Sequence, residues 1–407
     1  MGNGEATRCT SDAGDGGVDG LVLPDWLTRP RPNGSPGLRE TAQSLRTWLA
    51  QHGVPYDSQS FPLRAYYNEA LGVWLMAAAM ALFAAVVLRC GWAALIASVL
   101  SVGVGAAEVM LDWPLVTRVG TVTGENIVVH FPAGDVCGRR EVVLSAHYDT
   151  KTEALDHARR RLFTANLAPA MGVCLATGFG SWAETVWGMP GGGLTGPFHL
   201  VLVAAAGLVL AFALGMGLNL ASGRLLSRQS TGAVDDGGAC VVLLELCRRL
   251  ATGSVALRTT AVTVAFFCGE EVTMQGSQAY VRGRKWPAPT VSVNLECLGQ
   301  DGEYFLWDTD GTVLHRLPTD SDINAALEAA VVSVTGRVPA RLPLLDSDTY
   351  SFLRRGVPAS GLGSLDVRLG ATGLHGGLDR PERVHGVRLA EAVAILERLL
   401  RDVDTAG

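Results

Sequence analysis

Charged side chains are scarce in this sequence of 407 residues, where they make up 18% of the chain against about 25% in soluble proteins. Apolar residues account for 48%, and the mean hydropathy is +0.25. Such a composition excludes disordered, coiled-coil and fibrous proteins and indicates membrane segments. The net charge of −6 leaves no basic excess. This excludes a nucleic-acid-binding protein, because the binding face of such a protein would be basic.

Paired cysteines and a signal peptide are also missing. The eight cysteines form no CxxC motif, so we expect scattered buried thiols and neither a disulfide framework nor a zinc ribbon. Residues 1–20 are rich in Gly, Asp and Ser and lack the basic region followed by an apolar one that a signal peptide requires. We therefore expect residues 1–28 to form a disordered tail and the protein to work in a reducing compartment.

Four long apolar runs are present instead. They cover residues 71–88, 92–111, 162–183 and 197–222. A bilayer core of about 30 Å requires about 20 such residues in a helix. The runs therefore predict four transmembrane helices in two hairpins, here called hairpin 1 (residues 70–113) and hairpin 2 (residues 162–222). The alternative is four buried helices of a large soluble domain, and Glu108 and Pro169 are the residues least typical of a membrane helix.

The other segments alternate between strand and helix patterns. Helices are expected at 36–51 (with Ser35 as N-cap), 239–250, 322–334, 348–354 and 389–403. Strands are expected at 126–130, 141–145, 259–268, 290–298 and 359–363. This alternation predicts a mostly parallel central sheet with helices on both faces. The sheet would belong to one discontinuous domain, made of residues 29–69, 114–161 and 223–405.

Acidic and histidine side chains stand at the ends of several predicted strands, where an open α/β sheet places its site. His147 and Asp149 follow the first of them and lie two residues apart, on the same side of an extended chain. This arrangement suits a metal-bound imidazole whose second ring nitrogen is held by a carboxylate. A polar strand end accounts for it equally well.

Two adjacent pairs of acids follow. Asp235 and Asp236 precede the helix predicted at 239–250, where capping of the helix is an alternative explanation. Glu270 and Glu271 follow a buried strand. One of two adjacent glutamates can bind a metal while the other acts as a base. Alternatively, both can lie in an ordinary solvated loop.

The last candidates are Glu296, which ends a second buried strand, and His375, which lies in a glycine-rich loop with Asp379 four residues on. Each of these five sites has an ordinary explanation when it is considered alone. Helix capping and solvation do not explain why acids and histidines occur in this order, each at a strand-to-loop junction.

This order resembles the co-catalytic zinc exopeptidases of the aminopeptidase Y and bacterial leucyl aminopeptidase type. Their relatives include glutamate carboxypeptidases, glutaminyl cyclases and the transferrin receptor ectodomain. Residues 31–37 (RPNGSPG) and the stretch 347–359, which begins with SD and ends with GVPA, are also similar to the family, and the likeness extends over about residues 29–402. It implies the zinc-exopeptidase fold, an α/β fold with a mixed, mostly parallel sheet, interrupted here by the two transmembrane hairpins.

The resemblance implies a site of two Zn²⁺ ions. The ligands would be His147, Asp235 and Glu296 for one ion and Asp235, Glu271 and His375 for the other. Asp235 would bridge the ions, Glu270 would be the general base, and Asp149 would orient His147. In the family the peptide bond after the bridging acid is cis, which is the bond between Asp235 and Asp236 here.

The sequence departs from the family at two places that matter for this site. Glu296 stands where the aminopeptidases usually have Asp, which leaves open whether the second zinc stays bound. Residues 373–377 read GLHGG, where the family usually has Tyr before the histidine and Ser/Thr-Pro after it. Substrate contacts of that tyrosine are therefore not carried over.

Together with the four apolar runs, the resemblance implies a membrane-anchored, zinc-dependent exopeptidase. It would be an aminopeptidase that hydrolyses the amide bond at the free amino terminus of a peptide or small amide through a zinc-activated water. Because Glu296 departs from the aminopeptidases, a glutaminyl-cyclase-like acyltransferase with one zinc remains an alternative function. A non-catalytic binding protein is a third alternative. The expected partners are the peptide substrate and the lipid bilayer, with no nucleic acid, and the sequence does not address the oligomeric state.

Basic residues flank the apolar runs unevenly. Those on the side of the predicted domain are Arg64, Arg118, Lys151, Arg159, Arg160, Arg161, Arg224 and Arg228. In the sequence of the hairpin tips the one basic residue is Arg89. By the positive-inside rule the catalytic domain is cytoplasmic, and the Ala-, Gly-, Arg- and Leu-rich composition suggests the inner membrane of a bacterium. Most relatives work in secretory or extracellular space, so charge and family disagree on this point.

Overall fold

The computed structural model describes residues 21–111, 113–134, 140–188, 195–286, 289–312, 315–366 and 368–405. Its strands are β1 (Asp57–Arg64), β2 (Thr121–Phe131), β3 (Arg140–His147), β4 (Thr260–Phe267), β5 (Thr290–Glu296), β6 (Gly302–Gly311), β7 (Arg316–Pro318), β8 (Ala340–Pro343) and β9 (Ala359–Asp366). Its α-helices are α1 (Pro36–Gln51), α2 (Tyr67–Val87), α3 (Gly91–Met110), α4 (His157–Ala165), α5 (Leu167–Val186), α6 (Thr195–Ser222), α7 (Gly238–Ala251), α8 (Gln275–Val281), α9 (Ser321–Thr335), α10 (Asp348–Leu353) and α11 (Gly386–Thr405).

The strands form one mixed sheet in the order β1-β2-β4-β3-β5-β9-β6-β7, with β8 also pairing with β6. The four central strands, β4, β3, β5 and β9, are parallel. Antiparallel pairs extend the sheet on both sides, through β1 and β2 on one side and β6 and β7 on the other. The predicted fold class is confirmed, with the parallel pairing at the centre of the sheet.

Helices cover both faces of the sheet. On one face α1, α7, α9 and α11 contribute to the largest apolar core. On the other face α8 and α10 enclose a smaller one, in which the rings of Phe267, Tyr280 and Phe352 pack at tilted angles with centroids 5.4–6.3 Å apart. Burying such large rings is a main source of stability because the free energy gained scales with the apolar area removed from water.

The parallel strands all end at the same edge of the sheet, here called the carboxyl edge. His147 and Glu296 are the last residues of β3 and β5. The antiparallel strands β1 and β2 run past the end of β4, because Ile127 pairs with Phe266 while Arg64 pairs with Thr121. Hairpin 1 connects β1 to β2 at that point, and hairpin 2 follows β3. Both hairpins therefore leave the domain from the carboxyl edge.

In the described part of the chain, four helices are long and apolar enough to cross a membrane. They are α2, α3, α5 and α6, and each packs against two others, α2 and α5 both contacting α3 and α6. Glycines allow close approach: a Cβ at Gly72 would lie 2.5 Å from the carbonyl oxygen of Gly217, and one at Gly178 would lie 1.9 Å from Ser98 Oγ. Small residues at helix contacts are typical of membrane bundles.

The two residues that seemed least typical of membrane helices have local explanations. Glu108, near the end of α3, accepts N–H bonds from Leu115, Val116 and Thr117 at 2.5–3.1 Å. Its carboxylate therefore holds the loop after the helix. Pro169 is the third residue of α5, in the first turn, where a missing N–H leaves no hydrogen bond unmade.

The prediction that the disordered tail extends to residue 28 is wrong for the last residues of that range. Residues 25–28 form a short 3₁₀ helix, and Trp26 and Leu27 are buried in the core of the domain. The described fold therefore starts before the predicted boundary, because two large apolar side chains gain more by burial than the short segment loses by ordering. Residues 1–20 and the tip of hairpin 2, at 189–194, lie outside the described residues.

Candidate metal centre

The first half of the site is built around His147, the last residue of β3, which is 1% exposed. Three carboxylate oxygens surround its Nε2: Asp235 Oδ1 at 3.2 Å, Glu270 Oε2 at 3.7 Å and Glu296 Oε2 at 3.8 Å. On the other side of the ring, Nδ1 lies 3.6 Å from Asp149 Oδ1. The sequence predicted this proximity from the two-residue spacing at the end of the strand.

Asp149 is held firmly by its neighbours. Its carboxylate accepts hydrogen bonds from Asn33 Nδ2 at 2.7 Å and from the N–H groups of Gly269, Glu270 and Glu271 at 2.8–3.2 Å. Burial would raise the pKa of Asp149, but His147 and these donors lower it. The aspartate therefore links the end of β3 to the loop after β4, and Asn33 is a residue of the site that the sequence motifs did not identify.

The second half of the site is built around His375. Its Nε2 lies 3.1 Å from Asp235 Oδ2 and 3.1 Å from Glu271 Oε1. The backbone of His375 has a φ of 59°, a left-handed conformation that is uncommon for a residue with a Cβ. Asp235 thus directs one carboxylate oxygen to each imidazole, so this single residue connects the two halves.

The peptide bond between Asp235 and Asp236 is cis, as the resemblance implied. The two side chains then point to different partners. Asp236 accepts N–H bonds from His147 at 3.3 Å and from Cys297 at 3.0 Å. It therefore fixes the backbone between β3, β5 and the loop that carries Asp235.

Glu153 is the most important residue that the sequence analysis missed. Its Oε2 lies 3.5 Å from His375 Nδ1, and its N–H donates to the carbonyl of His375 at 2.8 Å. The other carboxylate oxygen contacts Arg160 at 2.8 Å and Lys151 at 3.0 Å. Burial would raise the pKa of Glu153, but the two cations and His375 hold it well below its usual range.

Asp379, four residues after His375, has a supporting position. It accepts a hydrogen bond from the N–H of Val234 and one from the hydroxyl of Ser230, both at 2.8 Å. Burial raises the pKa of Asp379 to about 6. Asp379 thus tethers the His375 loop to the segment immediately before Asp235.

The site contains more negative than positive groups. Burial and the neighbouring carboxylates raise the pKa of Glu270 and of Glu296 well above the ordinary value. Burial alone would lower the pKa of both imidazoles, but the carboxylates, chiefly Glu270 for His147 and Glu271 for His375, raise it well above the ordinary value. This electrostatic environment favours added positive charge, which a metal cation would supply.

The ligand atoms lie close enough together to hold metal ions. Within the described residues, three groups have donor atoms within 4.8 Å of one another: His147 with Asp235 and Glu271, His147 with Glu270 and Glu296, and Asp235 with Glu296 and Cys297. Imidazole, carboxylate and thiolate are ligands that zinc accepts. All five ligands predicted from the sequence are brought together, and Cys297 is an additional donor that the sequence did not single out because it has no partner cysteine nearby.

Comparison with known proteins supports the same family. Residues 219–394 match the profile of Peptidase family M28. No curated protein matches the chain in sequence. With residues 219–394 matched, the resemblance to the co-catalytic zinc exopeptidases is confirmed.

Solved structures share the fold at low sequence identity. An aminopeptidase from Aneurinibacillus sp. strain AM-1 has 12% identity and a TM-score of 0.55, covering 93% of this chain and 91% of its own. A zinc aminopeptidase from Bacillus subtilis has 13% identity and a TM-score of 0.51, covering 92% and 91%. A glutaminyl cyclase from Bacteroides thetaiotaomicron, bound to N-acetylhistamine, has 12% identity and a TM-score of 0.51, covering 91% of each chain.

Proposed function

We propose that this chain, whose residues 219–394 match the profile of Peptidase family M28, is a membrane-anchored zinc aminopeptidase. It would hydrolyse the amide bond at the free amino terminus of a peptide or small amide. The observation that carries the proposal is the position of Asp235, whose two carboxylate oxygens lie 3.2 Å from His147 Nε2 and 3.1 Å from His375 Nε2. One bridging carboxylate between two imidazoles is the arrangement expected for a pair of metal ions.

The donor set fits zinc. His147, Asp235 and Glu296 would hold one ion, and Asp235, Glu271 and His375 the other. Zinc held there supplies a Lewis acid that polarises the substrate carbonyl and acidifies water. Asp149 and Glu153 each contact the outer nitrogen of one imidazole, which fixes the orientation of the ring and makes it a better ligand.

Glu270 is the best placed general base. It is adjacent to Glu271, its carboxylate lies 3.7 Å from His147 Nε2, and its side chain keeps 11% exposure. Its N–H is bound to Asp149, so the backbone that presents it is fixed. Glu270 would take a proton from the attacking water and return it to the leaving amine.

The proposal is tested on the protein purified in detergent or reconstituted in lipid. We expect one to two zinc ions per chain by elemental analysis, and release of free amino acid from aminoacyl amides and dipeptides but not from the same peptides with an acetylated amino terminus. Removal of zinc by a chelator should abolish this activity, and added zinc should restore it. Bound zinc without hydrolysis of any free-amino substrate would contradict the proposal.

A second candidate is a glutaminyl-cyclase-like reaction with a single zinc. The observation that favours it is Glu296, whose Oε1 is engaged by Asn294 Nδ2 at 2.9 Å, so that one oxygen of this ligand is already committed. Peptides with an amino-terminal glutamine separate the two candidates. Cyclisation releases ammonia and leaves a blocked peptide of otherwise unchanged length, whereas an aminopeptidase releases free glutamine.

Membrane anchoring and orientation belong to the same proposal. The four apolar helices would cross the inner membrane of a bacterium, with the catalytic domain on the cytoplasmic side, because the basic residues flank the domain side of the runs.

Cys90, between α2 and α3, is exposed and provides a natural label site. After replacement of Cys9 and Cys137, an impermeant thiol reagent should label Cys90 from outside the cell, while a Ser254→Cys label in the domain should need an opened membrane. The reverse pattern would place the domain outside.

A further inference from the structure

The carboxyl edge of the sheet carries the metal centre and is also the edge from which both membrane hairpins leave. We infer that the substrates of this site are peptides tethered to the bilayer by an apolar or lipid segment, with their free amino terminus at the level of the lipid headgroups. The inference rests on the proposed function, and adds to it the class of substrate and the direction from which it arrives.

Hairpin 1 contacts the metal centre directly. Asn68, in the first turn of α2, donates from Nδ2 to the carbonyl oxygen of Glu271 at 3.0 Å. Helix α2 has 21 residues, or about 31 Å at 1.5 Å per residue, which matches the apolar thickness of about 30 Å in a bilayer. The helix is therefore about as long as the apolar part of a bilayer is thick. Its first turn, and with it Glu271, must then lie close to the boundary between lipid and water.

The segments that lead into and out of hairpin 2 both contact the His375 loop. Asp156, which caps the start of α4, accepts an N–H bond from Gly373 at 3.3 Å. On the other side, a Cβ placed at Gly377 would lie 3.2 Å from Cβ of Arg228, shortly after the end of α6. The loop that presents His375 is thus seated between the two points at which hairpin 2 joins the domain.

Exposed apolar side chains lie beside these junctions. They are Leu111, Trp113, Leu115 and Val119 after α3, Leu162 on α4, Leu225 after α6 and Leu378 in the His375 loop, with exposures of 50–85%. Exposed cations accompany them at Arg118, Arg159 and Arg161. Trp and apolar residues next to Arg are typical of a surface that lies in the headgroup region of a bilayer that contains anionic lipid.

This placement has a kinetic consequence. A soluble peptide must reach a site that faces the membrane surface, whereas a tethered peptide is already confined to that surface. Confinement raises the effective concentration of the reacting amino terminus without adding a contact to the site. We therefore expect tethering to raise kcat/KM for peptides whose first residues are identical.

The experiment uses the full chain in vesicles of phosphatidylcholine and phosphatidylglycerol. The probes are one short peptide with a free amino-terminal leucine and the same peptide carrying a hexadecyl amide at its carboxyl end. We expect kcat/KM to be at least about tenfold higher for the tethered peptide. Its rate should follow its mole fraction in the lipid and fall when inert lipid is added at constant bulk concentration.

A pair of variants tests the apolar surface. Trp113→Glu with Leu225→Glu places two carboxylates where the inference places lipid. It should reduce the advantage of the tethered peptide severalfold and leave hydrolysis of the soluble peptide unchanged. Ala251→Glu with Ser254→Glu adds the same charge at the opposite edge of the sheet, at the end of α7 and just after it, and should change neither rate.

The outcomes separate this inference from the proposed function. If both peptides are hydrolysed and tethering gives no advantage in vesicles, the inference is wrong and the aminopeptidase assignment stands. If the surface variant leaves the advantage intact, access from the membrane is likewise contradicted. If the zinc-loaded protein hydrolyses neither peptide, the proposed function itself fails and the inference fails with it.

Discussion

The two histidines of the candidate metal centre are supported by different parts of the molecule. His147 ends a central strand, and its partner Asp149 is held by hydrogen bonds from Asn33 and from the loop after β4. His375 lies in a loop, and its partner Glu153 is paired with Lys151 and Arg160. Arg160 belongs to α4, which leads directly into hairpin 2. One half of the candidate centre therefore depends on the sheet and the other on the segment that leads into the apolar helices of hairpin 2.

Because their support differs, the two halves of the site should respond separately to substitution. Donors to Asp149 come from backbone N–H groups and one amide, and these change little with solvent. Glu153 depends on two cations, whose charges offset the effect of burial on its pKa. Asp235 is the residue shared by both halves, so its loss should be the most damaging.

The largest expected effect is that of Asp235→Ala. Because its two oxygens face the two imidazoles, we expect this variant to lose both zinc ions and all measurable activity. Glu296→Ala removes a predicted ligand from the half of the site around His147 and should weaken one ion while the other stays. Zinc content after dialysis measures both. Equal partial loss in the two variants would contradict the bridging role of Asp235 and favour a single-zinc site.

Next in size is Glu270→Gln, which should leave both halves intact. The amide keeps the shape of the side chain but cannot accept a proton, so we expect kcat to fall by at least about a hundredfold, the usual scale for a general base. Zinc content should equal that of the parent. Glu303→Gln, an exposed position on β6, serves as the control and should behave as the parent. A Glu270→Gln enzyme with near-parental kcat would show that another group is the base.

The comparison between the halves is tested most directly by Glu153→Gln and Asp149→Asn. Each replaces a charged partner of one imidazole, and loss of such a partner typically lowers metal affinity by about 10–100-fold. Competition with a chelator measures the affinity, and double variants identify the ion. Glu153→Gln should be non-additive with Glu271→Ala, which affects the same ion, and additive with Glu296→Ala, because distant sites contribute independently.

If Glu153→Gln were instead additive with Glu271→Ala and non-additive with Glu296→Ala, Glu153 would not act through His375.

Arg160→Gln provides a milder version of the same test, since Lys151 still contacts the Glu153 carboxylate at 3.0 Å. It should lower the affinity less than Glu153→Gln does. An Arg160→Gln effect as large as that of Glu153→Gln would mean that the cation, rather than the carboxylate, positions the loop.

Much of this site could be predicted from the sequence because its residues stand at the ends of buried strands. His147, Glu271 and Glu296 follow apolar runs, and parallel strands bring their carboxyl ends to one edge. Glu153 could not be found in this way. It lies in an irregular segment between two basic residues, which reads locally as a solvated charge cluster, and its histidine partner is 222 residues away in sequence.

The fold was predictable to a similar extent. Helix α1 was expected from its spacing and its cap, and the hydroxyl of Ser35 does accept the N–H of Leu38 at 3.2 Å. Strand β1 was missed because its sequence, DSQSFPLR, is polar, contains proline and is mostly exposed. Its partner β2 follows hairpin 1 in the sequence, so the pairing is long-range and a local pattern does not contain it.

The smallest expected effect concerns a carboxylate outside both halves. Burial raises the pKa of Asp310 to about 7, while an unfolded aspartate titrates near 3.9. Between these pH values the folded state retains a proton that the unfolded state releases. The free energy of unfolding therefore falls as pH rises from about 4 to about 7.

Asp310→Asn removes this dependence and should raise Tm relative to the parent by a few degrees near pH 7 and little near pH 4. Asp308→Asn, on the same strand with a side chain 52% exposed, is the control, and near pH 7 its gain in Tm should be smaller than that of Asp310→Asn. A Tm difference for Asp310→Asn that does not grow with pH would show that Asp310 is ionised in the folded protein throughout this range.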